Sequence, residues 1–188
     1  TALLSTILDC CAASGNAEKG ITYARQLLNI ARETEDPERI RVAAATIINF
    51  EESDADARRE LAESLLSLNR VTEAVTEFLR TAEFYEASGS NSNAFNCYRR
   101  VTQISPGSAQ AWRRLADLSL TIGDMETARR SVSQVMETAS RADATRIRPL
   151  IDRLLQTSED VTDIHKSARD FYRRIGDDAN AATESAHL

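Results

Sequence analysis

The chain has 188 residues, 42% of them hydrophobic and 28% charged, with a net charge of −6. That is enough apolar material for a continuous core, and the wrong sign for a general nucleic-acid binder, which needs a concentrated basic face. Only six Gly and three Pro interrupt a composition rich in Ala, Leu, Glu and Arg, which favours helix over strand, and no apolar run approaches the roughly 20 residues of a membrane span.

The first segment places Leu4, Ile7, Leu8 and Cys11 on one helical face before Gly15-Asn16 breaks it. A second helix follows with Ile21, Ala24, Leu27, Leu28 and Ala31 on its stripe, and Glu35-Asp36-Pro37 ends it. Pro37 can open the third helix, where a missing N–H costs nothing. Asp54 can cap the fourth, whose apolar face is Leu61, Leu65 and Leu68. Asn69 supplies a left-handed turn. The fifth helix spans roughly Val71 to Ala87 around Ala74, Phe78, Ala82 and Tyr85, and Gly89 closes it before a sixth. Pro106-Gly107 is the clearest break in the chain. The seventh helix runs from about Ser108 to Ile122, and Asp124 caps the eighth. Ile147, Leu150, Ile151, Leu154 and Leu155 form a ninth apolar face around Pro149, which either starts that helix or kinks it. Val161, Ile164, Ala168, Phe171 and Ile175 form a tenth, followed by the polar tail 177–188. The expectation is an all-α chain of about ten helices, each antiparallel to the next, with residues 1–176 as a single domain.

A repeat runs through this order. Gly89, Ala94 and Pro106 are answered 34 residues later by Gly123, Ala128 and Ser140, and a fixed period of that length marks stacked helical hairpins. Trp112, Leu115, Ala116, Gly123, Ala128, Val132, Val135 and Ser140 make one unit. Phe78, Ala82, Tyr85, Gly89, Ala94, Tyr98, Val101 and Pro106 make the unit before it. In this pattern residues 71–140 resemble tetratricopeptide repeats. Leu4, Ile7, Leu8, Gly15, Gly20, Ala24 and Leu27 fit more loosely, residues 38–70 leave the register, and the last two helices lack the small residues and Gly.

The resemblance implies a right-handed α-solenoid of antiparallel helix pairs that binds a peptide or helix along the concave wall formed by the first helix of each pair. Carried over, that wall is Thr76, Leu79, Glu83, Glu86 and Ala87, then Gln110, Arg113, Asp117, Leu120 and Thr121. Chaperone-binding members of the family hold a terminal carboxylate with Lys and Asn, and those places here are Leu79, Glu83, Arg113 and Asp117. The clamp is therefore absent, and the mixed wall suits a peptide carrying basic residues and an apolar anchor.

No Gly-rich phosphate loop, zinc helix or nucleophile elbow occurs. His165 and His187 join no cluster in the sequence, and His165, beside Asp163 and Lys166, reads as a solvated surface residue. Cys10, Cys11 and Cys97 are an odd set without metal spacing, which fits reduced thiols in the cytoplasm. Neither an enzyme nor a metal or cofactor is expected. Arginine outnumbers lysine 21 to 2. Its pairs at 58–59, 99–100, 113–114, 129–130 and 173–174 read mostly as partners of nearby acids, and a basic strip of Arg99, Arg113 and Arg129 is the sharper alternative. The function expected is a non-catalytic protein-interaction scaffold or adaptor; the alternative is a regulatory sensor domain of a transcription or signalling protein. Self-association, or more repeats or a further domain upstream of Thr1, is also expected.

Overall fold

The computed structural model describes residues 17–158 and 161–188. The helix expected around Leu4, Ile7, Leu8 and Cys11 lies outside them, as do Cys10 and Gly15-Asn16. The described residues form ten α-helices and no strand, in two compact units that divide between Cys97 and Tyr98.

The first unit contains α1 (Ala17–Glu33), α2 (Pro37–Phe50), α3 (Ala55–Ser67), α4 (Val71–Ala87) and the opening half of α5 (Asn91–Ile104). Asp36 caps α2, accepting from the Arg39 N–H, with Pro37 in the first turn. Asp54 caps α3, accepting from the Ala57 N–H. Asn69 turns the chain at φ +59°, a conformation its short polar side chain tolerates. Consecutive helices joined by such short turns pack antiparallel. Their contact faces are small: Ala24, Ala31, Ala43, Ala44, Ala62, Ala74 and Ala82 are wholly buried. Gly20 belongs to the same device, because a Cβ there would come within 2.6 Å of the Phe50 ring. Leu27, Leu28 and Ile47 fill the core between α1 and α2. On α3 the buried set is Ala57, Arg58, Ala62, Ser64 and Leu65, so Leu61 and Leu68, expected in the core, are only half-buried.

Arg58, read as the partner of a nearby acid, finds its acid on the next helix and is buried there. Its side chain is 6% exposed and pairs with Glu77 of α4 at 2.9 Å. Nη2 donates to the Glu52 carbonyl at 3.0 Å, and the guanidinium lies 5.0 Å from the Phe84 ring centroid. Beside it the Tyr85 hydroxyl donates to Asp56 at 2.5 Å. Together these contacts tie α4 to α3.

The second unit contains the rest of α5, α6 (Ala109–Ile122), α7 (Met125–Thr138), a 3-10 turn (Arg141–Asp143), α8 (Ala144–Thr157), α9 (Thr162–Arg174) and α10 (Asp178–Ser185). Gly123 ends α6 in the left-handed region at φ +82°, and Asp124 caps α7, accepting from the Thr127 N–H. Tyr98, Val101, Leu115, Val132, Val135, Ile147, Ile151 and Leu154 are buried. Trp112 is 6% exposed, and its Nε1–H donates to the Pro106 carbonyl at 2.7 Å, which fixes the ring against the turn before α6. Pro149 sits inside α8 and does not start it, at the cost of one helix hydrogen bond.

The polar tail folds. Asp177 caps α10, accepting from the Asn180 N–H, and Ala181 is buried. This helix changes the place of His165, expected as a solvated residue outside any cluster. The His165 side chain is 12% exposed, its Nδ1 pairs with Glu184 of α10 at 2.6 Å, and the His187 ring stacks on it with centroids 4.9 Å apart. The tail that a sequence reading leaves loose is what covers His165.

Two expectations follow from these contacts. Arg58→Ala should lower stability by about 3 kcal/mol, whereas Arg58→Met, which keeps the volume and removes the charge, should cost less than half of that. Urea denaturation followed by the helical signal reads both, and a loss below about 0.5 kcal/mol for Arg58→Ala would contradict the burial. The second concerns acid. Hydrogen bonds from the Thr127 side chain and backbone hold the Asp124 carboxyl below its ordinary value, and those from Asn180 do the same at Asp177. Because the folded pKa is depressed, this stabilisation is present above the ordinary carboxylate range and is lost as pH falls through the folded value. The urea midpoint should therefore drop between about pH 5 and pH 3, and Asp124→Asn together with Asp177→Asn should flatten that drop.

Candidate functional site

The carried-over wall residues fall into two sets, one in each unit. In the first unit Thr76, Leu79, Glu83, Glu86 and Ala87 all lie on α4. Thr76 is exposed and its hydroxyl donates to the Thr72 carbonyl at 3.0 Å, along its own helix. Leu79 and Glu86 are half-buried, whereas Glu83 is exposed. Glu83 and Ala87 line a pocket of about 470 Å³ with Glu52, Arg58, Arg80 and Phe84. Arg58 and Arg80 both reach Glu77 there, so their charges are already partnered. The carboxylates of Glu52 and Glu83 and the Phe84 ring are what this pocket offers a ligand.

In the second unit the wall is α6 facing α8. Gln110 and Arg113 line a pocket of about 350 Å³ with Val135, Ala139, Asp143, Arg146 and Ile147. Asp143 is occupied, since it accepts from the Ser140 hydroxyl at 2.7 Å and the Ser140 N–H at 3.1 Å. Those bonds, with Arg146 and Arg113 nearby, hold its carboxyl below its ordinary value. One turn further on, Asp117 pairs with Arg153 of α8, and Arg153 Nη2 donates to the Thr121 hydroxyl at 3.3 Å. Leu120 is half-buried beside them. The structure thus joins Asp117 and Thr121 through one arginine, and Gln110 and Arg113 around one pocket.

Arg146 and Arg153 are wall residues that the repeat pattern missed, because α8 does not keep the spacing that located α4 and α6. The apolar periodicity of 144–155 was visible, and an arginine beside that apolar face was the available signal. Their arrival changes the wall's electrostatics. Asp117 is paired with Arg153, so the charged groups of the pocket are Arg113 and Arg146 with Asp143 beside them, over an apolar floor of Val135, Ala139 and Ile147.

The basic strip of Arg99, Arg113 and Arg129 does not form as one surface around α6. Arg113 belongs to the pocket just described, whereas Arg99 lines a different one with Trp112 and Arg130. Cys97 is buried, and burial pushes its thiol up to about 11, which keeps it in the unreactive protonated form at neutral pH. Among the described residues, no group of three or more His, Cys, Asp or Glu is arranged to hold a metal ion, and no helix is long and apolar enough to cross a membrane.

No protein-family model matches the sequence. The chain is 30% identical over 117 residues to tetratricopeptide repeat protein 37 of Xenopus laevis, a match that takes in 52% of this chain and 8% of that protein's length. Among solved structures, BtubC from P. vanneervenii is similar at 17% identity and a TM-score of 0.39, covering 91% of this chain and 89% of its own. A tetratricopeptide repeat protein from Parabacteroides merdae is similar at 13% identity and a TM-score of 0.34, covering 86% and 77% respectively. The chain is thus similar in sequence, over 117 residues, to a tetratricopeptide repeat protein, and its described residues are helical.

Proposed function

We propose that the chain is a non-catalytic interaction scaffold whose helix walls each hold a peptide or helix from a protein partner. The observation that carries this reading is the pocket between α6, α7 and α8, where Arg113 and Arg146 flank an apolar floor of Val135, Ala139 and Ile147. A pocket of this kind takes an aliphatic anchor and orients it through a charged neighbour. Its two guanidinium groups favour a carboxylate beside that anchor. The wall on α4 has the opposite preference. Glu52 and Glu83 border the Phe84 ring, which suits an aromatic or aliphatic residue next to a lysine or arginine. A partner with a basic segment and an apolar anchor fits α4, and one with an acidic residue fits α6–α8.

Asp117 is a poor probe of binding, since its carboxylate is committed to Arg153 and its loss would disturb the packing of α8. Glu83 and Arg113 are better ones. Glu83 is exposed, Arg113 half-buried, and among the described residues neither makes a direct ion pair.

Selection of a random peptide library on the chain should enrich sequences that pair an aliphatic residue with an acidic one, or an aromatic residue with a basic one. Arg113→Glu should weaken the first group at least about tenfold, and Glu83→Lys the second, with the helical signal unchanged in both variants. Enriched peptides that bind both variants as tightly as the parent would overturn the assignment of the walls.

A further inference from the structure

A second binding surface lies on the other side of α6 from Gln110 and Arg113. It is a pocket of about 440 Å³ between the end of α5, α6 and α7, and Trp112 and Leu115 form its apolar lining. Arg99 and Arg130 stand at its edge with Gln103 and Gln134. The floor is rigid: Trp112 is buried and its Nε1–H is spent on Pro106. Arg130 lies with its guanidinium 6.0 Å from the Trp112 ring centroid. It is exposed, and among the described residues no carboxylate pairs with it.

The first unit holds a comparable pocket, and the contrast is informative. There α1, α2 and α3 enclose about 500 Å³ lined by Arg25 and Arg32. Arg25 is closed by Asp54 at 2.8 Å and Glu51 at 3.1 Å, and Arg32 by Glu60 at 2.9 Å. That pocket satisfies its own cations and has no aromatic lining. The Trp112 pocket has the aromatic surface, and Arg130 keeps its fork of N–H donors open. The local charge agrees. Residues 98–138 carry six arginines and four acids, in a chain whose net charge is −6.

We propose that this pocket docks an acidic segment of a partner protein, with carboxylates against Arg99 and Arg130 and an apolar or proline side chain over Trp112. Arginine pairs carboxylates through parallel N–H donors. A guanidinium already oriented over an indole face is pre-organised for this, so less freedom is lost on binding. Two arginines at one pocket, Arg130 over the ring and Arg99 at the edge, are too few for a nucleic-acid track, which needs several phosphate contacts along a groove. The site is independent of the α6–α8 wall, which uses Arg113 and Arg146.

Trp112 is the single tryptophan of the sequence, so its emission reports on this pocket alone. The 188-residue chain is titrated with a short blocked peptide of alternating glutamate and proline, and with its glutamine–proline counterpart. The glutamate peptide should change the emission saturably, and the glutamine peptide should bind at least about tenfold more weakly. Arg99→Gln with Arg130→Gln should reduce affinity for the glutamate peptide about tenfold or more, and calorimetry checks this without relying on emission. Arg130→Lys should fall between parent and double variant, and Arg113→Glu should leave affinity within about twofold. The helical signal establishes that each variant is folded. No saturable response from the parent chain, equal affinity for the two peptides, or full affinity in the double variant would overturn the proposal. So would tighter binding of oligouridylate with a steep loss on adding salt, which would make the site one for nucleic acid.

Discussion

The constraint on which everything else depends is the closeness of neighbouring helices. Ala24, Ala43, Ala74, Ala82, Ala94, Ala116, Ala128 and Ala168 are all wholly buried. A larger side chain at any of them would force the paired helices apart or strain the neighbouring rotamers. Gly20 is the extreme case, since the Phe50 ring occupies the space its Cβ would need. With the backbones drawn together by small residues, large ones are buried beside them: Phe78 in the first unit, and Tyr98, Trp112, Leu115 and Ile147 in the second. Neither set works alone: an α-hairpin of this kind has no core until another is stacked against it.

Close packing also decides where charge can go. Helices this near to one another leave little room for long side chains in the seams, and several arginines pair instead with an acid three residues away, as Arg41 does with Glu38 and Arg70 with Glu73, while Arg25 reaches the turn acids Glu51 and Asp54. Arg58 is the exception that entered a seam, and it brings Glu77, the Glu52 carbonyl and the Phe84 face with it. Cations without a committed acid are then the informative ones. Arg113 and Arg146 share a pocket on one side of α6, and Arg130 stands over Trp112 on the other. On the proposed reading these residues are what a partner's carboxylates would meet, although the chain as a whole is acidic.

Much of this architecture was legible in the sequence. The stripe Ala74, Phe78, Ala82, Tyr85 is buried as the periodicity requires, Asp54 and Asp124 cap the helices they precede, and Asn69 takes the left-handed turn. These features are local, set by spacing and by the conformational preferences of single residues. What escaped depends on partners distant in sequence. That Arg58 pairs with an acid was readable, but not that the acid is Glu77, 19 residues on, nor that the pair is buried. His165 looked solvated because Glu184 sits on a helix too polar to be recognised by its apolar stripe. Arg146 and Arg153 complete the α6–α8 wall from a helix outside the repeat register. The candidate site was therefore half readable: Gln110, Arg113, Asp117 and Thr121 from the pattern, their partners only from the fold.

The central claim is that the helix walls, and not the turns or the outer rims, hold the partner. Backbone amide shift mapping by NMR with a library-selected acidic peptide tests it most directly. Shifts concentrated at Gln110, Arg113, Arg146 and Ile147, with the turns at Asn69 and Gly176 unmoved, are the expected result. Shifts gathered at those turns while the α6–α8 wall stays silent would contradict it.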